Sequence, residues 1–273
     1  MRLTAYEKSA RREVDAWLRG DVSLVARAMD WVMRPVDWAV EQGVPGHVVD
    51  QMSEAVAGFL SKLNDATKWV VDLKGIRSEA SRKGIEIENI EDLRDAPLET
   101  LDELAKGVFT HNTVLAALSG GGTGLGGVVL IAADIPLLFA INLHLIQKIG
   151  AAYGFPMTGP EHSSIVLSIY NAAAANSREA RSGALHEIGI AAASYAGGGS
   201  YQGRVRGILS DQSRHLPREL AKNLVGRKLL QTIPLAGAAV GAGVNYWFTR
   251  ETAQTSYMLF RSLYIEYKDR LSH

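Results

Sequence analysis

Residues 118–147 read LSGGGTGLGGVVLIAADIPLLFAINLHLIQ, and the interpretation of this stretch decides the fold class. A glycine-rich run leads into twenty largely apolar residues that carry one formal charge. The pattern Gly122-x-Gly124-x-x-Gly127 matches the glycines of a dinucleotide-binding turn. That turn requires an acidic residue about twenty positions further on, where this chain has Gln147, and a second β-α unit, which does not follow. The glycines are better explained as positions where two helix backbones approach closely.

The length of the apolar run also meets the criterion for a membrane-spanning helix. Asp134, Pro136, Asn142 and His144 interrupt it, however, and an acid near the bilayer centre costs about 3 kcal/mol. Three interpretations stay open: a hairpin buried in the protein, a hairpin inserted in a membrane, and a hairpin that switches between the two. The buried hairpin is favoured, because the amphipathic helices that precede it need a soluble core to pack on.

Helical periodicity dominates the rest of the chain. Residues 4–20 place Tyr6, Ala10, Val14 and Trp17 on one helical face. No segment shows sustained strand alternation. The sequence therefore predicts an all-α fold, a multi-helix bundle with two long glycine-rich apolar helical hairpins.

The chain divides by composition near residue 108. Residues 1–108 are predicted to form amphipathic N-terminal helices that pack on an apolar helical core at 109–273, within one continuous domain. The polar stretch at 76–99 is predicted to be a surface loop or lid, and residues 161–196 two alanine-rich helices.

A second charge-free run at 229–249 suggests an internal repeat. Aligning Gly127 with Gly243 sets Asp134 opposite Arg250, and if the two hairpins pack as related halves these charges are expected to pair. Chance similarity between two runs of glycine and alanine is an equal alternative. Asp134 could also cap a helix that starts at Pro136.

The sequence contains little that indicates catalysis. The absence of cysteine excludes disulfides, thiolate nucleophiles and cysteine-ligated zinc. The seven histidines show no metal-ligand spacing, so neither a metal nor a cofactor is predicted, and His144 on an apolar face is expected to be a satisfied core histidine. No Gly-x-Ser-x-Gly elbow occurs. The enzymatic alternative is a hydrolase that acts on a lipid or peptide with Asp134 or a histidine.

Charge is distributed unevenly along a chain of zero net charge. Residues 1–108 carry a net charge of −5 and residues 109–273 one of +5. Anionic lipid headgroups suit the basic segment 204–228 better than nucleic acid does, because it borders the uncharged run at 229–249. The predicted membrane-surface residues are Arg204, Arg206, Arg214, Arg218, Lys222, Arg227 and Lys228. No secretory signal is visible at the start of the sequence, so we expect a cytoplasmic protein that is peripheral on the inner face of the cell membrane.

Three stretches together resemble the EcsC family: RPVDWAVEQGVP at 34–45, GGGTGLGGVVLIAADIPLLFAINLHLIQKIGAAYGF at 120–155 and LLQTIPLAGAAVGAGVNYWFTRETAQTSYMLFR at 229–261. The motif positions that carry over are Gly121, Gly124, Gly127, Asp134, Pro136, Pro234, Gly237, Asn245, Phe248 and Thr249. The family is centred on bacteria and has no established activity. Its founding member is encoded beside an ABC transporter, so the resemblance implies a membrane transporter as a candidate partner. The leading hypothesis is a non-enzymatic, membrane-associated helical protein that binds lipid or another apolar ligand.

Overall fold

A computed structural model describes residues 3–20, 50, 54–59, 71–121, 127–175, 177–199 and 237–272, with the backbone alone at 110–121, 127–135 and 237–244. Regular structure in these ranges is helical throughout, which confirms the all-α multi-helix bundle. The α-helices are α1 (Ala5–Arg19), α2 (Lys74–Arg82), α3 (Leu98–Gly121), α4 (Gly127–Ala152), α5 (Ser163–Ala175), α6 (Arg178–Ala196) and α7 (Gly237–Arg270), with 3-10 helices at Ile90–Asp95 and Pro160–His162. Residues 122–126 and 200–236 lie outside the described ranges, so the glycine-rich hairpins stay a prediction.

Helix α1 forms as its sequence predicts. Thr4 and Glu7 make a reciprocal capping box, in which the Glu7 amide donates to the Thr4 hydroxyl (3.1 Å) and the Thr4 amide to the Glu7 carboxylate (2.7 Å). Gly20 ends the helix in the left-handed conformation, at φ 84°. Val14 and Trp17 are buried on the inward face, which fixes α1 against the bundle.

Helix α7 is the central element of the bundle. Its 34 residues contact α1, α3, α4, α5 and α6. Phe248, Phe260 and Leu263 on α7 are completely buried. The described helices therefore share one core, and the predicted boundary at residues 108 and 109 falls inside α3.

The start of α4 differs from the prediction. The helix begins at Gly127 and continues through Pro136, so Asp134 is not the cap of a helix that starts at this proline. Proline lacks an amide proton and deprives the carbonyl four residues earlier of its donor. An apolar helix packed against neighbours on several sides tolerates that loss.

The polar stretch at 76–99 is predicted to be a loop, but in the structure it is largely helical. It contains α2 and the 3-10 helix Ile90–Asp95, in which Asn89 and Asp92 form a capping box. Ile76, Ala80 and Leu93 are at most 5% exposed. These sparse apolar positions hold an otherwise charged segment on the core.

Helices α4 and α7 run parallel. Phe139 packs on Phe248, with ring centroids 5.6 Å apart, Asn142 donates to Thr249, and Gly150 lies against Phe260. These contacts pair each α4 residue with one that lies 107 to 110 positions later in the chain. Helix α3 is antiparallel to α7. We call the end of the bundle where α3 finishes at Gly121, and where α4 and α7 begin, the glycine end.

Candidate functional site

The most concentrated polar chemistry in the described residues surrounds the completely buried carboxylate of Asp102 on α3. Its Oδ2 accepts from Arg261 Nη2 and from the Tyr6 hydroxyl, both at 2.7 Å, and its Oδ1 accepts from the Tyr153 hydroxyl at 2.6 Å. Arg261 Nη1 also contacts Glu13 Oε2 at 2.6 Å. This Asp102 cluster joins α1, α3, α7 and the segment after α4.

The electrostatics of the Asp102 cluster indicate a structural role. Burial and the charge of Asp102 raise the pKa of Tyr153 well above its usual value, and burial together with the hydrogen bond to Asp102 raises the pKa of Tyr6 to about 12. For Arg261, burial acts to lower the pKa, but the hydrogen bond to Glu13 and the charge of Asp102 outweigh it and raise the pKa. The tyrosines therefore stay neutral and the arginine charged at physiological pH. Both oxygens of the Asp102 carboxylate already accept hydrogen bonds and neither is open to solvent. The carboxylate therefore holds the helices together and offers no reactive group to a substrate.

An aromatic cage encloses Arg94, which lies in the 3-10 helix of the polar stretch. Its guanidinium lies 4.7 Å from the ring centroid of Phe155, 4.9 Å from that of Tyr195 and 5.8 Å from that of Tyr267. Arg94 Nε donates to the Gly154 carbonyl at 2.7 Å. Cation–π contact with three rings and a backbone hydrogen bond fix the side chain from all sides.

Two buried polar side chains, Asn142 and Thr249, meet between α4 and α7. Asn142 Nδ2 donates to the Leu138 carbonyl at 2.8 Å and to Thr249 Oγ1 at 3.2 Å. Asn245 and Thr252 on α7 are also completely buried. Asn245 and Thr249 are predicted motif positions: Thr249 contacts α4 through Asn142, and Asn245 is buried on α7.

Several other predicted site residues can be placed. Gly121, Gly127 and Gly237 are terminal residues of helices at the glycine end. His144 is exposed, so the prediction of a core histidine is wrong: its position on α4 faces outward, between the buried neighbours Leu143 and Leu145. The predicted residues that lie outside the described ranges are Gly124, Pro234, Arg204, Arg206, Arg214, Arg218, Lys222, Arg227 and Lys228.

The predicted pairing of Asp134 with Arg250 assumed an offset of 116 residues between the two halves. The observed offset of 107 to 110 sets Arg250 level with residues 140–143. At 1.5 Å per residue this lies roughly 9–14 Å beyond Asp134 along the helix axis. The backbone of Asp134 is described and its side chain is not. The register therefore sets the two residues at different levels of the bundle, and their pairing stays a prediction.

Exposed apolar side chains lie at matched positions in the half of α4 and α7 that is nearer the glycine end. Leu137 on α4 is 52% exposed and Tyr246 on α7 is 39% exposed. They are 109 residues apart in the chain, which is within the observed offset, so they lie at one level of the bundle. The other large exposed apolar residue of the described ranges is Leu271, near the opposite end of α7.

Sequence reasoning missed the Asp102 cluster and the Arg94 cage. Asp102 and Arg261 are 159 positions apart, and Arg94 is separated from Tyr267 by most of the chain. The sequence places Tyr6 on the apolar face of helix α1 and predicts no polar role for it. An isolated charge within a predicted buried face, as at Asp102 between Leu101 and Leu104, is the local signal that could have found the cluster.

The sequence of this chain can be compared with those of known proteins. The sequence model of the EcsC protein family matches residues 8–264. The chain belongs to the EcsC protein family. This match confirms the resemblance drawn from the three sequence stretches, and it covers α1 through most of α7.

Two curated proteins of Bacillus subtilis (strain 168) are similar to this EcsC family chain. It is 29% identical over 174 residues to the uncharacterized protein YdbA, a match that covers 64% of this chain and 61% of YdbA. It is 27% identical over 163 residues to Protein EcsC, covering 60% of this chain and 63% of that protein. The chain thus spans about three fifths of the length of these relatives. No solved structure matches it.

Two further observations bear on function. Across the described part of the chain, no helix combines the length and the apolar character needed to cross a bilayer. The same residues contain no group of three or more histidine, aspartate and glutamate side chains arranged to hold a metal ion.

Proposed function

We propose that this EcsC family chain is a non-enzymatic protein that associates peripherally with anionic lipid on the inner face of the cell membrane. It contacts the membrane through its glycine end and the basic segment 204–228, and it binds lipid or another apolar ligand there. A membrane transporter as its partner is proposed on the family resemblance alone.

One observation carries this proposal: Leu137 and Tyr246 expose apolar surface at the same level of two parallel helices. Apolar side chains that remain exposed towards one end of a bundle are suited to the boundary between headgroups and acyl chains. Among the described side chains of α4 and α7, the other large apolar ones are buried or half-buried. The glycine end therefore supplies the apolar half of a membrane contact.

The basic segment supplies the electrostatic half. Lys228 precedes Gly237, the first residue of α7, by nine positions, so the end of the segment is tethered within about 30 Å of the glycine end. Seven cationic side chains in the segment accompany two acidic ones, Asp211 and Glu219. Each lysine or arginine near an anionic membrane contributes about 1 kcal/mol of attraction.

A catalytic role for α4 receives no comparable support. The hydrolase alternative, which uses Asp134 or a histidine, would be favoured by a pocket that brings Asp134, His144 and a serine together. Because α4 is continuous, the Cα atoms of Asp134 and His144 lie about 15 Å apart along the axis. Two residues this far apart along one helix are poorly placed to act on the same substrate atom.

Cosedimentation with lipid vesicles tests the proposal. We expect the wild-type protein to sediment with vesicles that contain anionic phosphatidylglycerol, to remain unbound with purely zwitterionic phosphatidylcholine, and to be released at about 1 M salt, where the Debye length falls to about 3 Å. Changing Arg214, Arg218, Lys222 and Arg227 to Gln should abolish binding at moderate salt.

A matched pair of variants tests the apolar half separately. Leu137→Gln with Tyr246→Gln should weaken vesicle binding, whereas Leu271→Gln should leave it unchanged, because Leu271 is equally exposed but about 38 Å along α7 from Tyr246. Equal effects of the two sets, or full binding by the quadruple Gln variant, would refute the proposed membrane contact.

A further inference from the structure

A cavity of about 230 Å³ lies between α1, α6 and α7, far from the glycine end. For comparison, an engineered apolar cavity of about 150 Å³ holds a benzene molecule. The lining of the cavity in this protein includes an apolar side chain from each of the three helices, Val14, Leu185 and Ile265, beside Ser262 and charged residues. Val14 and Ile265 are at most 5% exposed, so the cavity reaches into the core. The space suits a small ligand with a short hydrocarbon stem.

The charges around this cavity do not balance. Arg11, the cation of the lining, is paired with Asp269 at 3.1 Å. Glu266 and Asp15 also line the cavity, with Asp15 exposed at the rim and Glu266 partly buried. In the described part of the chain, Glu266 has neither a hydrogen-bond donor nor a cation within ion-pair distance. The cavity therefore has an excess of negative charge.

The environment of Glu266 shows that its charge is poorly compensated. Burial raises the pKa of this carboxyl, and although Arg270 and Arg11 act in the opposite direction from a distance, the net shift remains upward. A partly buried carboxylate without a partner is destabilised relative to one in water. A cationic ligand would replace the missing partner.

We propose that the cavity between α1, α6 and α7 binds a small aliphatic amine, with one ammonium group on Glu266 and its methylene stem against Val14, Leu185 and Ile265. A second ammonium group at the other end of the stem would meet Asp15 at the rim, so a short diamine fits better than a monoamine. An anion would face two carboxylates, and a neutral apolar ligand would leave Glu266 without a partner.

Calorimetric titration of the full chain with 1,5-diaminopentane at about pH 8, where both amines and carboxylates are largely charged, tests the site. We expect saturable binding, weaker binding of pentylamine, and no binding of pentan-1-ol or pentanoate. Glu266→Gln should weaken the affinity for the diamine by about tenfold, the loss expected for a hydrogen bond to a charged group. Glu88→Gln, at an exposed position outside the cavity, is the matched control and should bind like the wild type.

Two further variants separate the cavity from general charge. Leu185→Trp fills the cavity without a change in charge and should abolish binding, with circular dichroism used to check the fold. Asp15→Asn should remove the preference for the diamine over pentylamine. Binding that survives Leu185→Trp, binding of pentan-1-ol equal to that of the amines, or equal losses from Glu266→Gln and Glu88→Gln would each overturn the proposal. The vesicle experiments test a different end of the bundle, so the two proposals fail independently.

Discussion

The carboxylate of Asp102 accepts hydrogen bonds from Tyr6, Tyr153 and Arg261, which belong to three separate parts of the chain. Burying an ion pair requires the removal of water from both charges, and only good geometry with additional hydrogen bonds offsets that cost. The Asp102 cluster meets this condition through its two tyrosines and Glu13. Its contribution is therefore to fix one arrangement of the helices, more than to add net stability.

Removing one member of the cluster should be strongly destabilising. Asp102→Ala leaves the guanidinium of Arg261, whose side chain is 3% exposed, without its buried partner. We expect the free energy of unfolding in urea to fall by about 3–5 kcal/mol. Asp269→Ala is the control, because its ion pair with Arg11 is 43% exposed on both sides and should contribute at most about 1 kcal/mol. Similar losses in the two variants would contradict the assignment.

At the scale of elements, Gly154 allows the polar stretch to dock. It has φ 79°, and a Cβ at this position would lie 2.7 Å from Arg94 Cγ and 2.8 Å from the Arg94 amide nitrogen. The left-handed conformation and the close approach both require glycine. The Arg94 cage thus depends on a residue that contributes no side chain.

Gly84 provides a matched control for this dependence. It also has φ 79°, but no atom lies within 4 Å of a Cβ built there. Gly84→Ala should therefore cost only the left-handed backbone penalty of about 1–2 kcal/mol. Gly154→Ala should lose about 1–3 kcal/mol more, because the added methyl overpacks against Arg94. Urea unfolding of both variants measures the difference, and equal losses would show that Arg94 moves aside freely.

The helices differ in how well their limits could be predicted from the sequence. Helix α1 has both a regular apolar face and a capping box, so its limits could be read directly. Helix α2 and the following 3-10 helix have few apolar positions, and their charged residues hid the helical pattern. Pro136 indicated a helix start, but the packing of α4 against its neighbours overrides that local preference. The Asp102 cluster and the cavity beside Glu266 arise only from contacts between distant segments.

At the scale of the whole molecule, buried tyrosines predict a response to alkaline pH. Burial is the largest cause in each case, and it raises their pKa values, to about 12 for Tyr195. The tyrosines with raised pKa values are Tyr6, Tyr153, Tyr170, Tyr195, Tyr257 and Tyr264. In the unfolded chain tyrosine ionises near pH 10, so the stabilisation is complete below that pH and is lost as the pH rises towards the folded-state values.

We therefore expect the free energy of unfolding to be level between about pH 7 and 9 and to fall above about pH 10. Tyr170, whose hydroxyl donates to the Phe139 carbonyl at 2.6 Å, is the most direct probe. Tyr170→Phe should reduce the alkaline slope by about 1.4 kcal/mol per pH unit, the contribution of one proton. Tyr246→Phe, at a 39% exposed ring, is the control. An unchanged slope in Tyr170→Phe would show that this tyrosine ionises equally in both states.

The central position of α7 has a consequence for biosynthesis. A ribosome that adds roughly 5–20 residues per second completes α1 and α3 to α6 first and then needs about 2–7 s for the 34 residues of α7. During that interval the faces of the earlier helices that pack on α7 are uncovered, and the Asp102 carboxylate has Tyr6 and Tyr153 but lacks Arg261. Final assembly must await the emergence of the helix from the ribosome, and until then the nascent chain presents the apolar surface that chaperones recognise.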